Sequence, residues 1–311
     1  MVEWNGEFAQ LKPGTFNANG GLIRLGPVSL ARITFNQSVL NRSYAPRDAV
    51  AFLFPGQGSG AAFVNGHELG DSQCVAVTKD ACCEAITNGR FVVMAAAIDL
   101  NVWNAQSHWL ETQRVADIRS ARIVSQPAWR RNVENSITWI LGALAENPAA
   151  FGREDVRASL TDRFLVALAD LNRGQESGVL CTRDARAHRR KAVERAREYI
   201  RQNLTEQIRL SDLCRHAYAQ ARSLEYGFRE VSGVSPVAYI KALKLTSVRK
   251  ALLSAQAVTR SISEIACDHG FWHLSQFSVD YRKFFGENPS ATRMRFARVR
   301  TPAPLDASLA G

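Results

Sequence analysis

A chain of 311 residues is long for one hydrophobic core and comfortable for two, and its 39 Lys/Arg against 29 Asp/Glu give a net charge of +10. Apolar content is an ordinary 46%, and no run approaches the ~18 apolar residues of a membrane-spanning helix, which argues against a helical membrane protein. The opening Met1-Val2-Glu3-Trp4-Asn5 lacks the basic segment of a signal peptide, so a cytoplasmic location with no membrane partner is expected.

Residues 1 to about 103 read as strands and turns. Gly14, Gly20-Gly21, Gly26-Pro27, Pro46, Pro55-Gly56 and Gly58 separate short apolar runs at 28–35 and 50–54, and further runs lie at 74–78 and 91–98. In the segment 62–69, the Asn65-Gly66 pair accepts φ > 0 at both positions and favours a type I′ hairpin. Many short strands with Gly/Pro turns indicate a small barrel or sandwich. From about Asn104 the period becomes helical. Leu110, Val115 and Ile118 begin one helix; Pro127 opens a second, carrying Val133, Ile137, Ile140, Leu141 and Leu144. A third runs from about Glu154 through Leu160, Phe164, Leu165 and Leu168, and residues 172–188, with Gly174, Ser177 and Gly178, read as a linker.

No catalytic constellation emerges from this half. His67 and His108 are too few for a three-histidine site in a barrel, and the His67-Glu68 pair reads as exposed strand. Gly56-Gln57-Gly58-Ser59-Gly60 does not have the order of a nucleophile elbow, and no Gly-rich phosphate loop ends in Lys-Ser/Thr. No metal and no cofactor is expected. Cys74, Cys82, Cys83, Cys181, Cys214 and Cys267 show no C-x-x-C spacing, so reduced, packed thiols are the default.

The C-terminal third differs in charge and in pattern. Residues 188–300 hold 21 Lys/Arg and 10 Asp/Glu against 18 and 19 elsewhere, so all of the excess sits there, as suits a module that meets a polyanion. The segment also repeats. Leu224, Phe228, Arg229, Gly233 and Pro236 return 53 residues later as Phe277, Tyr281, Arg282, Gly286 and Pro289, while upstream Leu213-Cys214 answers to Ile265-Ala266 at 52. A helix from near His188 to Asn203 leads in. Ser211 is the expected N-cap of a short helix through Leu213 and Ala217; Leu224, Phe228 and Val231 then form a buried stripe with Arg222, Glu225, Tyr226 and Arg229 outside. Gly233 is a natural left-handed C′ residue, and Pro236 opens a long helix through Tyr239, Leu243, Leu245, Val248 and Leu252. Ile262, Ile265 and Ala266, the turn Gly270-Phe271, and the stripe Phe277, Tyr281, Phe284 repeat the unit, closed by Gly286 and Pro289.

These fixed-spacing matches, over roughly residues 190–297, resemble the AraC/XylS family of bacterial transcription regulators, and the stretch from Gly270 to Glu287 resembles its ethanolamine-operon subgroup. The resemblance implies an α+β chain: a β-rich ligand-sensing and dimerisation domain with helices after about 104 (residues 1–172), a linker (173–187), an all-α double helix-turn-helix domain (188–300, units at about 210–232 and 262–285) and a tail (301–311). Leu213, Leu224, Phe228, Gly233, Pro236, Ile265, Gly270, Phe271, Phe277, Gly286 and Pro289 are its scaffold. An exposed helix fits the major groove of B-DNA, and two held by one stiff helix reach successive grooves about 34 Å apart. By position in the family motif, Arg222, Glu225 and Tyr226 face one groove and His273, Leu274, Ser275, Gln276 and Val279 the next. Arg222 suits guanine, Gln276 adenine and Leu274 a thymine methyl; Lys244, Arg282 and Lys283 suit phosphates.

The implied partners are promoter DNA, RNA polymerase, a small-molecule effector and a second copy of the chain; the implied role is an activator, not an enzyme. The alternative is a bifunctional enzyme with a fused DNA-binding domain, requiring a reactive Cys82, Cys83 or Cys181. The sequence departs from the family at Tyr218-Ala219-Gln220, where a Gly-x-Ser turn is usual, and at Trp272, which replaces a polar cap. With Gly227 inside the helix, each fault at the first turn costs on the order of 1 kcal/mol, so the first unit is expected to be the looser copy.

Overall fold

A computed structural model describes residues 5–70, 73–79, 81–107, 122–125, 127–169, 185–254 and 259–300. The N-terminal half is built of antiparallel strands: β1 (Asn5–Gln10), β2 (Ala18–Leu25), β3 (Val28–Phe35), β4 (Val39–Tyr44), β5 (Ala49–Pro55), β6 (Ala62–Val64), β7 (His67–Glu68), β8 (Gln73–Thr78), β9 (Cys83–Thr87) and β10 (Phe91–Asp99). They form two sheets, one ordered β1-β4-β9-β6-β7, the other continuing from β8 through β5, β10 and β3 to β2. Asn65 (φ 46°) and Gly66 (φ 81°) make the tight turn that pairs Val64 with His67, the hairpin their sequence favours.

After β10 the chain enters α1 (Leu100–Ser107), four residues earlier than the helical pattern suggested, and then returns to the second sheet as β11 (Arg122–Ser125), paired with β8. That late edge strand was not expected. The helix assigned to Leu110, Val115 and Ile118 lies outside the described residues, as do His108, Cys181, the 173–184 part of the linker and the tail. Helix α2 (Pro127–Glu146) starts at the expected proline, a 3-10 turn follows at Pro148–Gly152 capped by the Asn147 side chain, and α3 runs from Glu154 to Ala169.

Alternation explains how these layers stack. Along β5, Val50, Phe52 and Phe54 point to one side and Ala49, Ala51 and Leu53 to the other; along β8, Cys74 and Ala76 oppose Val75 and Val77. The alanine side meets Val64, Cys83 and Ala85 of the first sheet, a seam of small side chains that brings the sheets together. The phenylalanine side is covered by Val133, Ile137 and Ile140 of α2 and Leu160, Phe164 and Leu165 of α3. The central strands β5, β8 and β10 of the second sheet are therefore buried on both faces, which is why they read as continuous apolar runs.

The C-terminal helices are α4 (Ala185–Gln202), α5 (Leu210–Ala217), α6 (Ala221–Ser232), α7 (Pro236–Leu252), α8 (Ile262–Asp268), α9 (Leu274–Phe285) and α10 (Pro289–Arg300). Among the described residues no helix is long and apolar enough to cross a membrane. Ser211 is inside α5 and is not its N-cap: the helix starts at Leu210 with Arg209 as cap, and the Asp212 carboxylate accepts the Arg209 backbone N–H at 3.0 Å. An acid three residues in serves that orphan donor better than a hydroxyl already in the first turn.

These helices share one core with the outer face of the first sheet, where Ala9, Leu11, Leu40, Phe63 and Ile86 are buried with Val193, Phe228, Tyr239 and Phe277. Full burial of a Phe or Ile is worth roughly 1.5–3 kcal/mol, so this contact is built as a core and not as a wet rim. Ion pairs surround it: Glu84 of β9 joins Arg42 of β4 to Arg197 of α4, Glu68 meets Arg190 at 2.6 Å, and Glu7 meets Lys250 at 3.0 Å. The loop after β1 also caps α9, because the Gln10 side-chain amide and the Gly14 N–H both donate to Phe284 O at 3.0 Å.

Candidate nucleic-acid interface

The two expected helix-turn-helix units are α5–α6 and α8–α9, and their hydrogen bonds repeat as the residues do. Ala219 N donates to Cys214 O at 3.1 Å and Phe271 N to Ala266 O at 3.0 Å, equivalent bonds across the two turns. Gly233 (φ 70°) and Gly286 (φ 75°) both end their helices in the left-handed region, donating to Arg229 O and Arg282 O. After each comes a proline that opens the next helix, Pro236 behind a Ser235 cap and Pro289. Leu213, Leu224 and Phe228 are fully buried, Ile265 and Phe277 nearly so, and Phe271 packs 5.1 Å from Phe277.

Anchoring Leu224, Phe228 and Val231 inward turns the opposite face of α6 to solvent. Arg222, Glu225, Tyr226 and Arg229 are all exposed there. Likewise Phe277, Tyr281 and Phe284 hold α9 down and leave Leu274, Ser275, Gln276, Val279, Arg282 and Lys283 outside, with His273 as the exposed N-cap. Among the described residues, no hydrogen bond or ion pair engages the side chains of Arg222, Glu225, Gln276, Arg282 or Lys283. Asp280, on the same helix, is instead tied to Lys241 of α7 at 2.6 Å.

Lys244 is a correction. It was expected to reach phosphate, but only 8% of it is exposed and its ammonium donates to Glu206 O at 2.7 Å. Burial lowers its pKa, with the nearby Glu206 opposing the shift. The helical period places position 244 on the packed side of α7, beside buried Leu245 and Val248.

The first turn is strained as expected. Tyr218 takes φ 52°, a conformation that costs a non-glycine residue roughly 1–2 kcal/mol, and Gln220 caps α6 without a side-chain hydrogen bond. Arg195 of α4 lies over the Tyr218 ring at 5.4 Å and offsets part of that cost. Gly227 is another matter. A Cβ there would meet Val193 Cγ2 at 2.5 Å, so the glycine admits α4 against α6 and is a packing requirement, not a source of looseness. Tyr218 and Trp272, the departures from the family pattern at the two turns, are both exposed aromatics, at 86% and 72%, immediately ahead of the candidate helices.

The thiols bear on the alternative reading. Burial pushes Cys74 and Cys83 up to about 12, with Cys82 and Glu84 adding to the rise at Cys83, so both stay protonated and unreactive near neutral pH.

Residues 213–295 match the family model described as "Helix-turn-helix domain". The chain is 43% identical over 101 residues to the XylDLEGF operon transcriptional activator of Pseudomonas putida, covering 32% of each chain, so the match spans about a third of that relative's length. It is 27% identical over 208 residues to the HTH-type transcriptional activator RhaR of Pectobacterium carotovorum, covering 62% of this chain and 71% of that one. Among solved structures, a probable AraC family transcriptional regulator from Rhodopseudomonas palustris is 33% identical, with 34% of this chain and 96% of that one covered at a TM-score of 0.31. Residues 213–295 therefore match a helix-turn-helix domain, and over about a third of its length the chain is similar to transcriptional activators such as that of the XylDLEGF operon.

Proposed function

We propose that the protein is a sequence-specific double-stranded DNA-binding transcription regulator, an activator and not an enzyme, that reads two successive major grooves with α6 and α9. One observation carries this. Both units present exposed, unpartnered polar side chains on the outer face of their second helix, in the third of the chain that holds all the excess positive charge. In this reading residues 1–172 sense and dimerise, 173–187 link, 188–300 bind DNA and 301–311 are a tail. Arg222, Glu225, Tyr226, His273, Leu274, Ser275 and Gln276 face bases, and Arg282 and Lys283 face phosphates.

The test is an anisotropy titration of the full chain against duplexes enriched from a random pool. Affinity is expected to fall steeply and linearly on a log–log scale with salt, because phosphate neutralisation releases counterions. Gln276→Ala should change the enriched sequence, whereas Lys283→Ala should weaken every duplex alike and reduce the salt slope by about 1. Binding that ignores salt would remove the reading.

The same reading includes a small-molecule effector, RNA polymerase as partner and a homodimer. Supporting the effector is a cleft of about 640 Å³ between the first sheet and α4–α5, lined by Arg42, Glu84, Glu194, Tyr199, His216 and Tyr218 among others. A ligand there touches both the β-rich half and the first helix-turn-helix unit. Thermal shift against small amines, ethanolamine included, and aromatic acids tests it, since a ligand of the folded form raises its melting temperature. Supporting the dimer are Trp139 and Val166, exposed at 55% and 71% on α2 and α3. Sedimentation of Trp139→Glu against the unsubstituted chain checks that face.

A further inference from the structure

Lys244 stands where three segments meet. Its ammonium donates to Glu206 O, in the loop that leads from α4 into the first helix-turn-helix unit. It also lies 2.6 Å from where a Cβ on Gly270 would be, at the turn of the second unit. From that same Cβ position Thr205 O is 3.4 Å away, so the lead-in of one unit abuts the turn of the other, with Lys244 of α7 wedged beside them. Elsewhere α7 is bonded to the second unit by Lys241–Asp280 at 2.6 Å and Arg249–Glu287 at 2.8 Å. The linking helix is thus fastened to the second unit along its length, and Lys244 adds the tie to the lead-in of the first.

We propose that Lys244 is a positioning residue: it locks the turn of the second helix-turn-helix unit against the lead-in to the first, and so sets the relation between the exposed faces of α6 and α9. The proposal rests on the DNA-binding reading above. Two linked binding surfaces gain avidity only while their geometry lets both engage at once, so loosening the tie penalises a site that needs both grooves and spares a site that needs one. A phosphate contact behaves differently, since its loss weakens all duplexes and lowers the salt slope.

The experiment uses the full chain, a duplex enriched by the unsubstituted protein, and the same duplex with one half-site scrambled. Lys244→Met is expected to lose about tenfold on the two-groove duplex and less than about twofold on the one-groove duplex, with an unchanged salt slope. Lys244→Arg, which keeps a charged donor within reach of Glu206 O, is expected to recover most of the loss. Thermal melting accompanies both variants, and Lys244→Ala, which also lacks the donor, replaces Lys244→Met if that variant has no cooperative transition. Equal losses on both duplexes, a salt slope lower by about 1, or no effect at all would overturn the role of Lys244 while leaving DNA binding intact. Failure of the unsubstituted protein to bind any duplex in a salt-dependent way would overturn both.

Discussion

The two helix-turn-helix units share a plan and differ in how each element is held. In the second, the turn residue is Gly270, at φ 78°, where the left-handed region costs a glycine nothing. Its first helix, α8, begins with a reciprocal cap in which Ser261 accepts from Glu264 N at 3.1 Å and Glu264 accepts from Ser261 N at 2.7 Å. In the first unit the same turn is a strained Tyr218; α6 begins on an uncapped Gln220, as α9 begins on an uncapped His273. Yet α6 is held by close tertiary neighbours at both of its glycines. Helix α4 packs directly on Gly227, and Asn88 and Lys12 of the β-rich half close over Gly233, where a Cβ would lie 2.5 Å from Asn88 Oδ1. Poor local geometry therefore need not make a loose unit, because tertiary contacts can hold what the local sequence does not.

The sharpest way to break this comparison is to cut the same core residue in each unit. Phe228→Ala and Phe277→Ala are each expected to cost about 3–5 kcal/mol, since both rings are buried and neither site can collapse easily. The two losses of unfolding free energy, measured by denaturant titration, should agree within about 1 kcal/mol; a clearly smaller loss for Phe228→Ala would restore the picture of a looser first unit.

Gly227→Ala comes next, and two effects of opposite sign compete there. Helix propensity alone stabilises α6 by about 1 kcal/mol, but the new methyl strikes the stiff Val193 side chain, and overpacking of this kind costs about 1–3 kcal/mol. A net loss is expected, relieved when Val193→Ala is added. A raised melting temperature for the single variant would show that the glycine is mere slack.

The caps give the smallest effects. Ser261→Ala should cost about 1 kcal/mol, and Gln220→Ser should gain about 0.5–1 kcal/mol by supplying the cap α6 lacks. The backbone N–H of Ser261, helped by its hydroxyl, holds the Glu264 carboxyl below its usual value. A depressed carboxyl pKa means the contribution is full above the ordinary carboxylate range and fades as the pH falls through that range to the depressed value. Acid titration of melting temperature should therefore show Glu264→Gln, which removes the titrating charge, converging on the parent protein at low pH.

Much of the fold is legible in the residues, for reasons that can be named. The strand at 28–35, the Asn65-Gly66 hairpin, Pro127 at the head of α2 and the paired Gly…Pro closures are local matters, set by side-chain period and by which residues accept φ > 0. The exposed faces of α6 and α9 follow from the same period once Leu224, Phe228, Phe277 and Tyr281 are taken as buried. The features that local pattern does not carry depend on contacts distant in sequence. Lys244 looks like a surface cation until Glu206 and Gly270 surround it, and Gly227 looks like a weakness until Val193 occupies the space beside it. The edge strand β11 has too few residues to announce itself and exists because β8 offers it a partner.

The doubled unit, its buried stripes and its exposed polar faces are written in the residues themselves, because a helix's inner and outer sides follow from 3.6-residue spacing. How the units are held depends on contacts between segments far apart in the chain. The first sheet and the C-terminal helices bury Leu40, Phe63, Ile86 and Phe228 in one core, and Gln10 and Gly14 cap α9 from far away in the chain. No local pattern encodes that contact, since the outer face of a sheet is apolar whether a helix, a second copy or another domain covers it.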